Sequence, residues 1–134
     1  MLKYINLDLA KGENVNYFVI GALLGCATVI IGAFGAHGLK NILDEYSKSI
    51  FEKAILYQMF HTLAIILLGV IERIVPNSNL YIPGLSFLLG IIIFSGTLYL
   101  IPLTGLRWLG AITPIGGTAL IAGWIALVYN IIKS

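Results

Sequence analysis

The chain is poor in charge. Only 10% of its 134 residues are Asp, Glu, Lys or Arg, against about a quarter in ordinary soluble domains. A small soluble domain buries only part of the surface its unfolded chain exposes. It could not hide a composition that is 59% hydrophobic. With a net charge of +2 and no run of basic residues, nothing points to a nucleic-acid partner. Cysteine is nearly absent: Cys26 stands alone, which excludes an intramolecular disulfide and a zinc site built on cysteine spacing. Catalytic signatures are missing too, with no HExxH, no GxSxG, no P-loop and no paired carboxylates inside an apolar stretch. The expectation is a protein that is not an enzyme and carries no cofactor and no metal.

What is present is hydrophobicity, at a mean hydropathy of +0.97, gathered into four long apolar segments. The first, over 17–36, has 20 residues, which at 1.5 Å each cover roughly the 30 Å of a hydrocarbon core. Lys3 and Lys11 precede it and Ala33-Phe34-Gly35 supplies small residues, as in a signal peptide. The segment outruns the roughly 7–15 residues of a signal core, and further spans follow, so it reads as a retained helix. The others lie at 54–71, 83–103 and 114–132, the last opening on Thr113 as a cap and Pro114 at the first helical position. The pattern specifies an all-α membrane protein forming one transmembrane domain over 1–134.

Between the first two spans, Leu39, Ile42, Leu43, Tyr46 and Ile50 recur at helical spacing while the charges fall elsewhere. The stretch 38–53 therefore predicts an amphipathic interfacial helix lying along the membrane. In the amino-terminal lead, Leu2, Ile5 and Leu9 share a helical face and suggest a short interfacial turn ending near Gly12. Four spans put both chain ends on one side. Lysine and arginine divide equally between the two sides, so the positive-inside rule gives no orientation.

Small residues mark the packing faces. Gly21, Gly25, Thr28, Gly32 and Gly35 line one side of the first span, and Gly116, Ala119, Gly123 and Ala126 one side of the fourth. Such stripes let helix backbones approach closely where lipid provides no hydrophobic drive. The second stripe is the expected mate of the first. Trp124 falls near mid-span, away from the interfacial belt, and reads as a space filler between helices.

Polar groups inside the spans are few, and each needs a reason. His61 lies seven residues into the second span, about 10 Å deep, with Tyr57 and Gln58 one turn before it. His37 follows the first span in Gly32-Ala-Phe-Gly-Ala-His-Gly38, and Thr113 opens the fourth. These five form the candidate polar ligand or proton site. The histidines are too distant in sequence for a metal or haem motif, and no carboxylate or cysteine in the spans joins them.

Gly32 to Gly38, Tyr57-Gln-Met-Phe-His-Thr-Leu-Ala64, Phe94-Ser-Gly-Thr-Leu-Tyr-Leu100, Gly110-Ala-Ile-Thr-Pro-Ile-Gly-Gly117 and Gly123-Trp124 resemble the YgdD/YwdK family. That family consists of small bacterial membrane proteins of unknown function, with relatives in mitochondria-bearing organisms. The likeness runs from the first span to the fourth, and it implies four transmembrane helices. A longer amino-terminal lead and Pro102 depart from the family pattern without touching the polar positions.

The functional expectation is a multi-pass protein of the bacterial plasma membrane. Its partners are the bilayer and either a second copy or another membrane protein. Two small-residue stripes and a compact polar patch suit the holding of a lipid, a small apolar ligand or a partner helix. The competing expectation is small-solute or proton transport through the patch around His61, since histidine titrates near neutral pH and intramembrane polar chains serve as relays. The bland alternative for His61 is a hydrogen bond that fixes helix packing.

Overall fold

Asn16 opens the first helix by accepting the Val19 N–H on its side-chain oxygen at 3.2 Å, a cap for one of the donors that a helix start leaves free. Helix α1 then runs Tyr17–His37. In the computed structural model, which describes residues 16–75 and 77–134, the amino-terminal lead and its suggested interfacial turn lie outside the described residues. Helix α2 runs Glu45–Ile74 and begins at Asp44, whose carboxylate accepts the Ser47 N–H at 2.7 Å. That backbone bond, with a second contribution from the Ser47 side chain, holds the Asp44 carboxyl below the usual carboxylate range.

The separate interfacial helix expected over 38–53 is not there. Residues 38–44 form a turn, and residues 45–53 are the first turns of α2. No proline or glycine occurs from Glu45 to Ala54, so nothing interrupts the helical bonding. The apolar stripe is also divided in space: Leu39 turns inward to 5% exposure while Ile42 and Tyr46 are 73% exposed. With 30 residues, α2 measures about 45 Å, well beyond a core of about 30 Å. Its charged first turns therefore stand in the headgroup region.

The third span has three parts: α3 (Tyr81–Gly90), a π-helical turn (Ile91–Ser95) and α4 (Gly96–Thr104). Pro83 sits in the first turn, where its missing N–H leaves no bond unmade. Gly105 ends the span at φ 71°, a left-handed conformation that favours glycine, and its N–H closes on the Ile101 carbonyl at 2.9 Å. A 3₁₀ turn (Arg107–Ala111) leads into α5 (Thr113–Lys133). All four spans are long and apolar enough to cross a membrane, and no strand occurs among the described residues.

The helices do not close into a symmetric bundle. Helix α1 packs on α2, while α2 and α5 both pack on the third span. The expected pairing of the two small-residue stripes is thereby corrected. A β-carbon at Gly21 would strike the Ile66 side chain, and one at Gly35 the Phe51 ring, both on α2; Gly25 and Gly32 have more room on the same face, 3.8 Å from Thr62 and 4.0 Å from Ile55. On α5, Gly116 abuts the backbone of Phe94 and Gly123 the ring of Phe87, both in the third span. Each stripe thus serves its chain neighbour. The core lies at the centre of this arrangement, around Ile65, Leu68, Phe87, Ile91, Leu120 and Leu127. Tyr17 ties α1 to it, donating from its buried hydroxyl to the Leu80 carbonyl at 2.8 Å.

Candidate functional site

His61 stands at the meeting of α2, α3 and α5, and both of its ring nitrogens are engaged. Nδ1 lies 2.8 Å from the Tyr57 carbonyl, and Nε2 lies 3.1 Å from the Trp124 indole nitrogen. A carbonyl only accepts and an indole N–H only donates. The ring is therefore neutral, with its proton on Nδ1 and a bare Nε2 receiving Trp124. A proton added at Nε2 would set one N–H donor against another. Aromatic rings enclose the pair, Phe60 edge-on at 5.3 Å from His61 and Phe87 at 4.9 Å from Trp124. Relative exposure of His61 is only 4%.

Gln58 turns to a different side from His61. Its amide oxygen accepts the Tyr99 hydroxyl at 2.8 Å, and its amide nitrogen donates to the Leu24 carbonyl at 3.4 Å. It thus fastens α1, α2 and α4 together. The Tyr57 side chain is 42% exposed and stacks on His61 at 6.1 Å, and on Phe94 at 4.5 Å. The three residues adjacent on the helix share depth but serve separate contacts.

The structure does not bring the remaining site residues to this patch. His37 is exposed at the end of α1, whereas His61 is sixteen residues into the antiparallel α2, about 24 Å along it. Thr113 does not cap α5 with its side chain. The 3₁₀ turn runs straight into the helix, and the Ile115 N–H is bonded to the Ile112 carbonyl at 3.0 Å. The Thr113 hydroxyl instead donates to the Leu109 carbonyl at 3.2 Å and pairs with the Thr97 hydroxyl at 2.8 Å. It joins α4 to α5 about 16 Å along α5 from Trp124. Among the described residues, no group of three His, Cys, Asp or Glu side chains converges as a metal site would require.

Beside the His61–Trp124 pair, α2 and α5 part to leave a cleft of about 640 Å³. Phe94 of the third span lies behind it, Leu56, Tyr57 and Phe60 form one wall, and Gly117, Leu120, Ile121 and Trp124 the other. Its size falls within the 300–1,000 Å³ of ordinary ligand pockets. Nearly everything it offers is hydrocarbon or aromatic face: the His61–Trp124 pair is bonded internally, and the Tyr57 hydroxyl is the further polar group on its wall. Sequence reasoning missed Trp124, Phe94 and Gly117 as site residues. Trp124 carried a usable signal, since an indole N–H at mid-membrane depth must find an acceptor.

The sequence model of a family described as "Protein of unknown function (DUF423)" matches residues 31–117. A UPF0382 membrane protein of Staphylococcus haemolyticus is 45% identical over 117 residues, covering 87% of this chain and 95% of that protein. UPF0382 membrane proteins of Staphylococcus saprophyticus and Haemophilus influenzae are 44% and 39% identical, over 87% and 88% of this chain and 97% and 94% of their own lengths. No solved structure matches.

Proposed function

The chain belongs to the DUF423 family of membrane proteins, and from that premise we propose that it is a non-enzymatic protein of the cell membrane that holds an apolar chain in the cleft between α2 and α5. The five motifs support grouping it with the YgdD/YwdK proteins. The observation that carries the proposal is a cleft of about 640 Å³ in a membrane-spanning domain, walled almost wholly by hydrocarbon and aromatic faces, in which the His61–Trp124 pair is satisfied within the protein and the Tyr57 hydroxyl is the further polar group. Beyond Tyr57 a ligand meets only apolar and aromatic surface and the internally bonded His61–Trp124 pair, so its buried part is mainly hydrocarbon. A partner helix is a poorer occupant, because close helix contact needs small residues. Gly21 and Gly35 already face α2, and Gly116 and Gly123 the third span. Proton relay through His61 is likewise disfavoured, since it would break the Trp124 bond at every turnover.

Gly117 gives the test. A β-carbon there would lie 3.5 Å from the Phe94 ring, an ordinary contact, with the cleft beyond it. A leucine at this position projects into the cleft beside Phe94 and narrows it. Membranes containing a fatty acid with a photoreactive group on its chain are irradiated, and labelled peptides are mapped. The wild-type protein is expected to label in the segments carrying Phe60 and Ile121, and Gly117→Leu to lose that label while melting normally. Equal labelling of the two proteins, or labelling no stronger than on the lipid-facing Leu23 and Ile30 of α1, refutes the proposal.

A further inference from the structure

The cleft continues toward the membrane surface. A second cavity, of about 650 Å³, lies between the first turns of α2, the end of α4 and the start of α5. Phe94 borders both cavities. Along α2 the lining passes from Asp44 and Lys53 to Leu56 and His61, and along α5 from Thr113 and Pro114 to Gly117 and Trp124. The two volumes are successive lengths of one groove. Their linings differ in kind: the deep part is apolar, whereas the surface part carries Lys53 and Arg107.

Neither cation has an ion-pair partner, the only salt bridge among the described residues being Lys48–Glu45 at 2.9 Å. The single carboxylate in the lining, Asp44, caps α2 through Ser47 and also attracts Arg107, so one anion stands against two cations. The mouth is thus net positive. Lys53 precedes His61 by eight residues, about 12 Å of helix, so the groove runs from the headgroup level to near the middle of a core about 30 Å thick. That is the span of one leaflet.

We propose that the groove binds one anionic glycerophospholipid, with its phosphate between Lys53 and Arg107 and one acyl chain lying along Phe94, Tyr57 and Phe60 toward Trp124. The assignment deepens the cleft proposal above and rests on it. A free anion would leave the apolar length empty, and a zwitterionic lipid would bring, beside its phosphate, an ammonium group that the two cations repel. Anionic headgroups gain about 1 kcal/mol per lysine or arginine near the surface, which two cations raise to a preference of about tenfold or more.

Native mass spectrometry of the full chain, offered phosphatidylglycerol and phosphatidylcholine of identical chains in equal amounts, reads this preference. The wild-type protein is expected to retain phosphatidylglycerol about tenfold over phosphatidylcholine. Lys53→Gln and Arg107→Gln should each lower the ratio about threefold, and the double variant should bring it near one. Lys133→Gln, at the other membrane face, should leave it unchanged. Both Lys53 and Arg107 are exposed, and unaltered melting of each single variant confirms that the fold is intact. Equal retention of the two lipids by the wild type, or a loss in Lys133→Gln as large as in the double variant, overturns the headgroup assignment. Repeating the experiment with photoreactive chains on both lipids separates the two levels. Labelling at Phe60 and Ile121 by either lipid without preference removes only the headgroup claim, whereas labelling by neither removes the cleft as well.

Discussion

Replacing His61 by leucine isolates the value of its bond with Trp124. Leucine keeps similar bulk, and the Tyr57 carbonyl retains its ordinary bond within α2. What is lost is the acceptor for the Trp124 indole N–H, 3.1 Å away, among aromatic rings that offer no other acceptor. An unpaired buried donor costs about 1–3 kcal/mol in soluble proteins. Hydrogen bonds between membrane helices average only about 0.6 and reach about 1.7 kcal/mol, because the unfolded chain in the membrane also finds partners. We therefore expect His61→Leu to lower stability by about 1–2 kcal/mol. His61→Gln offers its amide oxygen in place of Nε2 and should fall within about 0.5 kcal/mol of the wild type. Trp124→Phe removes the donor, and the double variant completes a cycle whose coupling should be about 0.6–1.7 kcal/mol. Denaturation in mixed detergent micelles, followed by circular dichroism, measures all five proteins. A coupling within about 0.3 kcal/mol of zero, or a glutamine variant as unstable as the leucine one, would refute the bond and the neutral tautomer deduced from it.

Further outcomes follow from the packing. Gly116→Leu drives a side chain into the Phe94 backbone and should prevent folding or cost upward of about 3 kcal/mol in the same assay, whereas Gly117→Ala should melt like the wild type. Ser95 is 1% exposed and donates to the Ala54 carbonyl at 2.9 Å; Ser95→Ala should cost about 1 kcal/mol and Ser95→Leu several, read by thermal melting. The Asp44 carboxyl is lowered by its cap bond, so the cap contributes fully above the ordinary aspartate value of about 3.9 and is lost as pH falls through the lowered one. Asp44→Asn should flatten that acid limb of the melting profile, and an unchanged limb would show that the cap does not report it. With Cys26 replaced, single cysteines at Ser49 and Lys133 should react with membrane-impermeant reagents from opposite sides, and labelling of both from one side would contradict four spans.

The spans were legible because length and hydropathy are local properties: 17–36 and 114–132 in the sequence became Tyr17–His37 and Thr113–Lys133 in the structure. Small-residue faces were legible for the same reason, since helical spacing fixes which glycines lie together. Which face meets which was not. A glycine stripe says that some backbone comes close, and both Gly21 and Gly116 met the span adjacent in sequence rather than each other. The interfacial helix failed for want of a stop signal, the stripe from Leu39 to Ile50 being split between a turn and the head of α2. At the site, His61 drew attention correctly as a polar group at depth. Its partner Trp124 lies 63 residues away, beyond any periodicity. The π-helical turn at Ile91–Ser95 left no local mark either, its flanking Gly90 and Gly96 being compatible with ordinary helix packing.

The groove itself follows from those contacts that the sequence concealed. Gly90 faces Leu120, Gly116 faces the Phe94 backbone and Gly123 faces the Phe87 ring, so α5 is drawn tightly against the third span along much of its length. The third span is drawn equally tightly to α2, where Ser95 reaches the Ala54 carbonyl and Ala54 is fully buried. Helices α2 and α5, each held against the third span, do not pack closely on each other. The π-helical turn lies at this point, and Phe94 within it is left with its ring beside Tyr57 at 4.5 Å, between the two walls. Across the gap, α2 and α5 are joined by side chains, chiefly His61 to Trp124 with Phe60 at 5.7 Å. A bond at that point holds the walls at a fixed separation while leaving the groove open above it. In the proposed reading His61 acts on a ligand without touching its polar part: it sets the width of an apolar slot, and the charge proposed to choose among lipids sits about 12 Å away at Lys53.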